Sequence, residues 1–178
     1  MKMIFGVGLG HESTLPRRSN LAKFSDLVKL VEDCGVEAIG TYGTTFIGGD
    51  AFVRATLLAT MAERAKIGLR PTNTLTREPQ VMAGFAASLD SLTEGRAFLD
   101  IASGDSAVYN LGLKPATRAR IEAYVRCLRE LLASGESEFE GRAPRIRWHG
   151  DVVRPAIPIS ICAEGPRMLH LAGRIADG

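Results

Sequence analysis

The sequence predicts an α/β fold built from repeated strand–helix units, and three observations lead there. Short β-type apolar runs alternate five times with segments of helical period. Strands two to five are each followed by a polar or glycine-rich cluster, namely GTYGTTFIGGD, RPTNTLTREP, SGDSAVYN and AEGP. The composition, 46% apolar and 24% charged over 178 residues, is that of a soluble globular protein with one core and one domain.

Each element has a local cause. MIFGVGL, residues 3–9, reads as the first strand. Residues 20–35 form an amphipathic helix with Phe24, Leu27, Val28 and Val31 on one face, Ser19 or Asn20 as its cap, and Gly35 in the left-handed position past its end. VEAIGTY is the second strand, and Gly-Gly-Asp then starts a helix carrying Phe52, Leu57, Leu58 and Met61. AKIGLRPTN is the third. Pro79 suits the first turn of the next helix, which packs through Val81, Met82, Phe85, Leu89 and Leu92. RAFLDIASG is the fourth strand. A helix from Thr117 follows, with Ile121, Tyr124, Val125, Leu128, Leu131 and Leu132 in phase, and Gly135 ends it. A longer polar connection, 136–156, leads to the strand IPISICA and the helix PRMLHLAGRIAD. Two architectures share this signature, a (β/α) barrel and a doubly wound open sheet. In both, the site lies at the carboxyl ends of the strands.

Several function classes are excluded. The net charge of +2 and the interleaving of both signs give no field for nucleic acid or an acidic membrane, and the densest basic stretch, with Arg142, Arg145, Arg147 and Arg154, reads as a solvated loop face. Three scattered cysteines suit a reducing, cytoplasmic setting, and no apolar run approaches a membrane span. GVGLGH places His11 where the dinucleotide fingerprint requires glycine. No paired spacing suggests a metal, and Ile101 replaces the first glycine of a nucleophile elbow before Ser103.

Three strand-end loops carry chemistry, each with two readings. AEGPRM puts Ala163, Glu164, Gly165 and Pro166 at a helix start. This is either an anion site, from unpaired N–H groups and the helix dipole, or an ordinary αβ connection. In SGDSAV, Gly104 permits close backbone approach, while Asp105 and Ser106 either cap the next segment or hydrogen-bond a ligand hydroxyl. In RPTN, Pro71 lacks a ladder donor and marks a bulge or strand end. It is an edge kink, or a distortion that projects Thr72 and Asn73 into a ligand cleft.

The segments KIGLRPTNTLTREPQVMAGFAASLDSLTEGRAFLDIASGDSAV and IPISICAEGPRMLHLAGRIADG resemble the luciferase-like flavin and deazaflavin oxidoreductases, the superfamily of bacterial luciferase and methylenetetrahydromethanopterin reductase. The likeness runs over nearly the whole chain. It implies a (β/α)8 TIM-barrel fold holding FMN or the deazaflavin coenzyme, with hydride or oxygen chemistry at the ring and a small organic substrate. It also implies that Pro71, Thr72 and Asn73 lie against the ring, that Gly104, Asp105 and Ser106 line the ribityl and phosphate side, and that Ala163, Glu164, Gly165 and Pro166 contact the phosphate. The resemblance further implies a cis bond at Arg70–Pro71, since family members often have a cis bond in this bulge and proline lowers its cost.

Two departures stand out. Members of the family it resembles often carry an acidic residue or histidine facing the ring after strand two, where this chain has Gly43 and Thr44, so no catalytic residue is assigned. A complete barrel takes about 250 residues, so residues 1–178 read as the first five βα units of one domain. The unclosed wall is expected to expose apolar interior side chains and two strand edges, to bind cofactor weakly and to self-associate, and a homo-oligomer is expected. A non-catalytic cofactor-binding or assembly fragment, and an unrelated α/β enzyme acting on a small phosphorylated substrate, are the alternatives.

Overall fold

The computed structural model describes residues 5–9, 17–151 and 154–178, so His11 and the start of the first predicted strand, Met3 and Ile4, lie outside the described residues. The strands β1 (Gly6–Gly8), β2 (Ala38–Thr41), β3 (Lys66–Asn73), β4 (Ala97–Ala102) and β5 (Ile159–Ile161) form one all-parallel sheet in chain order. A doubly wound sheet reverses its strand order partway. This one never does, so that alternative is excluded. Repeated crossovers of one hand in one direction put the helices on one face. Accordingly α1 (Leu21–Asp33) touches α2 (Ala51–Met61), α2 touches α3 (Pro79–Leu92), α3 touches α5 (Arg118–Ser134), and α5 touches α6 (Pro166–Ile175). The core lies between these layers, where Ile39, Ile67, Leu69, Leu99, Ile101 and Ile159 alternate along the strands, fully buried.

The local signals act largely as expected. Asp50 Oδ1 accepts the N–H groups of Phe52 and Val53 at the start of α2, Thr117 Oγ1 accepts Arg120 N–H at the start of α5, and Gly35 and Gly135 take φ of 79° and 78° past two helix ends. Asn20 differs. Its side chain accepts Arg17 N–H instead of capping α1, because Arg18–Asn20 form a 3-10 turn before it. On α3, Met82, Ala83, Ala86 and Leu89 are buried, whereas Val81 and Leu92, three turns apart, share the solvent face. The alanine-rich side lets α3 approach the sheet closely, and the two larger residues fall opposite it.

Two segments carry more structure than their composition predicts. A one-turn helix, α4 (Ser106–Tyr109), follows β4. Within 136–156 the chain folds back through antiparallel bridges Glu136–Arg145 and Phe139–Arg142, and Phe139 is buried edge-on against Tyr124. Three of the four arginines there are matched to acids, Arg142 to Glu78 (2.8 Å), Arg145 to Glu136 (3.5 Å) and Arg154 to Asp90 (2.7 Å), while Arg147 is exposed.

The unclosed wall departs from expectation. Residues that alternate away from the helices are Gly6, Gly8, Ala38, Gly40, Gly68, Arg70, Phe98, Asp100 and Ser160, a glycine-rich and polar set with one aromatic, not an aliphatic surface. The outer edge of β5 is partly engaged as well: Asp177 N–H donates to Ile159 O (2.8 Å) and Ile161 N–H to Gly178 O (3.0 Å). Among the described residues no helix is long and apolar enough to cross a membrane.

Candidate functional site

The site grows from an irregularity in β3. Leu69 pairs with Leu99, but the next pair is Thr72 with Ile101, so β3 holds one residue more than β4 between them. Side chains alternate with period two, and one extra residue reverses which face each later side chain takes. Asn73 therefore comes level with Ala102 on the face away from the helices. The bulge contains the Arg70–Pro71 peptide, which is cis as the resemblance implied.

The loop after β2 closes onto this bulge. Gly43 N–H donates to Pro71 O at 2.8 Å, and a Cβ at Gly43 would lie 2.9 Å from both Cα and Oγ1 of Thr72. Such contacts are closer than real Cβ atoms make, which explains why no larger acidic or histidine side chain stands at Gly43. Across the cleft, Gly104 takes a φ of 100°, and a side chain there would run into Val108. These approaches enclose a cavity of about 270 Å³. Pro71, Thr72 and Asn73 form one wall, Gly104, Asp105, Ser106 and Ala107 another, and Tyr42, Gly43, Thr44 and Ile47 a third.

Polar groups in the cavity divide into committed and available ones. Asn73 Oδ1 accepts Leu75 and Thr76 N–H, both at 2.9 Å, so this oxygen belongs to its own loop and not to a ligand. That loop is held from α5, where Arg120 donates to Thr74 O (3.0 Å) and Tyr124 Oη to Arg77 O (2.9 Å). Burial pushes the Tyr124 hydroxyl pKa up strongly, so it remains a donor. Thr44 Oγ1 is buried without a hydrogen-bond partner among the described residues. The Asp105 side chain makes no cap to α4, against the capping reading, and its carboxylate is exposed at the cavity wall.

The fourth predicted segment lies beside this cavity. Glu164, Gly165 and Pro166 line a separate groove of about 610 Å³ with Ser103, Thr117, Arg118, Arg167 and Met168. Ala163 does not line it and packs against the core instead, since the strand alternation turns its methyl inward. Ser103 in the groove and Gly104 in the cavity are consecutive, so the two spaces flank one loop. Gly165, with φ 76° and ψ 158°, precedes Pro166 at the first position of α6. Tyr42, Ile47, Arg118 and Arg167 were not singled out from sequence. Both arginines stand at the first or second position of a helix, a place the sequence does show.

A parallel βα sheet in chain order, with its cleft at the carboxyl ends of the strands, is the arrangement of the (β/α) barrel proteins. The chain belongs to the luciferase-like monooxygenase family, whose model matches residues 3–178. Among its relatives it is 31% identical over 157 residues to the 5,10-methylenetetrahydromethanopterin reductase of Archaeoglobus fulgidus, across 85% of this chain and 46% of that protein. It is 31% identical over 144 residues to the F420-dependent glucose-6-phosphate dehydrogenase of Mycolicibacterium smegmatis, across 74% of this chain and 43% of that one. The structure superposes on the coenzyme F420 dependent tetrahydromethanopterin reductase from Methanopyrus kandleri with a TM-score of 0.80 at 24% identity, covering 100% of this chain and 55% of that chain. The fold is thus α/β of the (β/α)8 barrel type. The chain spans about half the length of the curated relatives it matches.

Proposed function

We propose that this chain holds the cofactor of a flavin- or deazaflavin-dependent oxidoreductase acting on a small organic substrate. The observation that carries this reading is the cavity itself, which gathers Pro71–Asn73 and Gly104–Ser106 from two strands onto facing walls. Ligand pockets usually measure about 300–1,000 Å³, so 270 Å³ suits a flat ring without its phosphorylated tail. The adjoining groove supplies Arg118, Arg167 and the N-terminal end of α6 for that tail.

A bound flavin or deazaflavin supplies hydride transfer. The chain's own residues bind and orient: the β3 bulge and Gly43 bring backbone close to the ring, and Thr44 Oγ1, buried without a partner among the described residues, is a donor available to it. The relatives whose names say F420-dependent favour the deazaflavin coenzyme, and an aldehyde, alcohol, sulfonate or pterin would each fit as the substrate. FMN with oxygen chemistry is the second reading, favoured by the family description.

Absorbance titration of the purified chain with the deazaflavin coenzyme, FMN and riboflavin tests both. A saturable spectral shift is expected with at least one phosphorylated ring compound. Arg118→Met and Arg167→Met should each weaken FMN about tenfold and riboflavin little. No shift with any of the three, or equal loss for FMN and riboflavin, would sink the assignment of ring or groove respectively.

A further inference from the structure

Below the cavity, on the strand faces turned away from the helices, lies a charged pair. Arg70 Nε donates to Asp100 Oδ2 at 2.6 Å, and the guanidinium carbon sits 4.8 Å from the Phe98 ring centroid. On the other side, a Cβ at Gly6 would strike the Arg70 guanidinium and one at Gly40 would strike Arg70 Cβ. One side chain from β3 therefore fills the space that glycines leave on β1 and β2 while it is bonded to β4. The Asp100 side chain is 8% exposed and that of Arg70 32%.

Arg70 is also the residue immediately before the bulge. A bulged stretch loses ladder hydrogen bonds, and Pro71 has no N–H to contribute. The backbone of 70–72 is thus short of the contacts that set the position of an ordinary strand. Gly43 holds it from the side through Pro71 O, and the Asn73 turn holds it from above. From below, the anchored Arg70 side chain is the remaining constraint. The pair is formally neutral, so its contribution is to geometry and not to attraction of an anion.

We propose that Arg70 and Asp100 are positioning residues: their ion pair sets where the β3 bulge sits and so fixes the cavity wall made by Pro71, Thr72 and Asn73. Its consequence for cofactor binding rests on the function proposed above, whereas its consequence for the backbone does not.

The test uses the full 178-residue chain with Arg70→Met, Asp100→Asn, the double variant and the milder Arg70→Lys. Glu32→Gln, which loosens the opposite end of the sheet, serves as a stability control. Hydrogen exchange over residues 71–76 should quicken at least tenfold in Arg70→Met and Asp100→Asn, with α3 and the rest of β4 unchanged. The double variant should be no worse than either single one, because both remove the same contact. Arg70→Lys should recover part of the protection, and Glu32→Gln should leave 71–76 unaffected. In ligand titrations, affinity for the ring compound should fall about tenfold in the same order. Exchange that rises evenly across the sheet, or stays slow at 71–76, overturns the proposal. Failure of the unmodified chain to bind any ring compound overturns the functional reading instead, and the exchange result still decides this one.

Discussion

At the scale of single residues, the least expected group is Arg54. It is 2% exposed on α2, and its Nε and NH2 are buried without hydrogen-bond partners among the described residues. Burial alone pulls its pKa down. An uncompensated buried charge destabilises, and an apolar side chain of similar volume removes that cost. Arg54→Met should therefore stabilise the chain by about 1 kcal/mol or more, a rise of about 2–4 °C in melting temperature for a protein of this size. A calorimetric melting temperature equal to or below that of the parent would show that Arg54 has found a partner. Gly43 makes the opposite case. A methyl there would press on Thr72 and on Pro71 O, 3.0 Å away, so Gly43→Ala should leave secondary structure intact by circular dichroism and weaken binding of the ring compound about tenfold or more.

Among the elements, the junction of α1 with the α2–β3 connection shows how one carboxylate can substitute for a turn motif. Glu32 is 6% exposed and accepts N–H groups from Arg64 and Ala65 at 2.7 Å and from Glu63 at 3.2 Å. Burial pushes its pKa up, but the three N–H donors and the Arg64 charge outweigh that and leave it lowered. With the folded pKa below the unfolded value of about 4.3, the stabilisation is complete above that pH and is lost as pH falls through the folded pKa. Glu32→Gln should cost about 2 kcal/mol at pH 7. In urea titrations the gap between the two proteins should narrow below about pH 4. A gap that stays constant from pH 7 to pH 3 would remove the ionised carboxylate from the account.

Taken as a whole, the molecule puts stability at one end of its sheet and the cavity at the other. At the amino ends of the strands, Arg96 donates to Ala65 O (2.6 Å) and Ala62 O (3.1 Å). There too the fully buried Asp90 accepts from Ala97 N–H (3.1 Å) and from Arg154 (2.7 Å). These contacts join successive βα units away from the cleft, which is the division of labour expected of a βα barrel. Asp90→Asn breaks a partly buried ion pair and should cost about 3 kcal/mol, while affinity for the ring compound per folded molecule stays within twofold. A large loss of affinity in material shown by circular dichroism to be folded would contradict that separation.

Much of this was legible in the sequence because its causes are local. Periodicity placed α1, α2, α3 and α5, Asp50, Thr117 and the two end glycines set their limits, and Pro71 marked the bulge. The composition of the loops pointed to Pro71–Asn73 and Gly104–Ser106, which do share one cavity. What depended on distant partners was not legible. A carboxamide reads the same whether its oxygen meets a ligand or its own loop, so the commitment of Asn73 Oδ1 appeared only with the fold. The inner face could not be assigned as glycine and charge instead of aliphatic, because a one-residue bulge and the room left by Gly6 and Gly40 decide what Arg70 touches. The order of the strands, too, was open between two architectures until their pairing was known. Propensity and patterning act over a few neighbours along the chain, whereas pairing, burial and ion pairs are set by residues that only folding brings together.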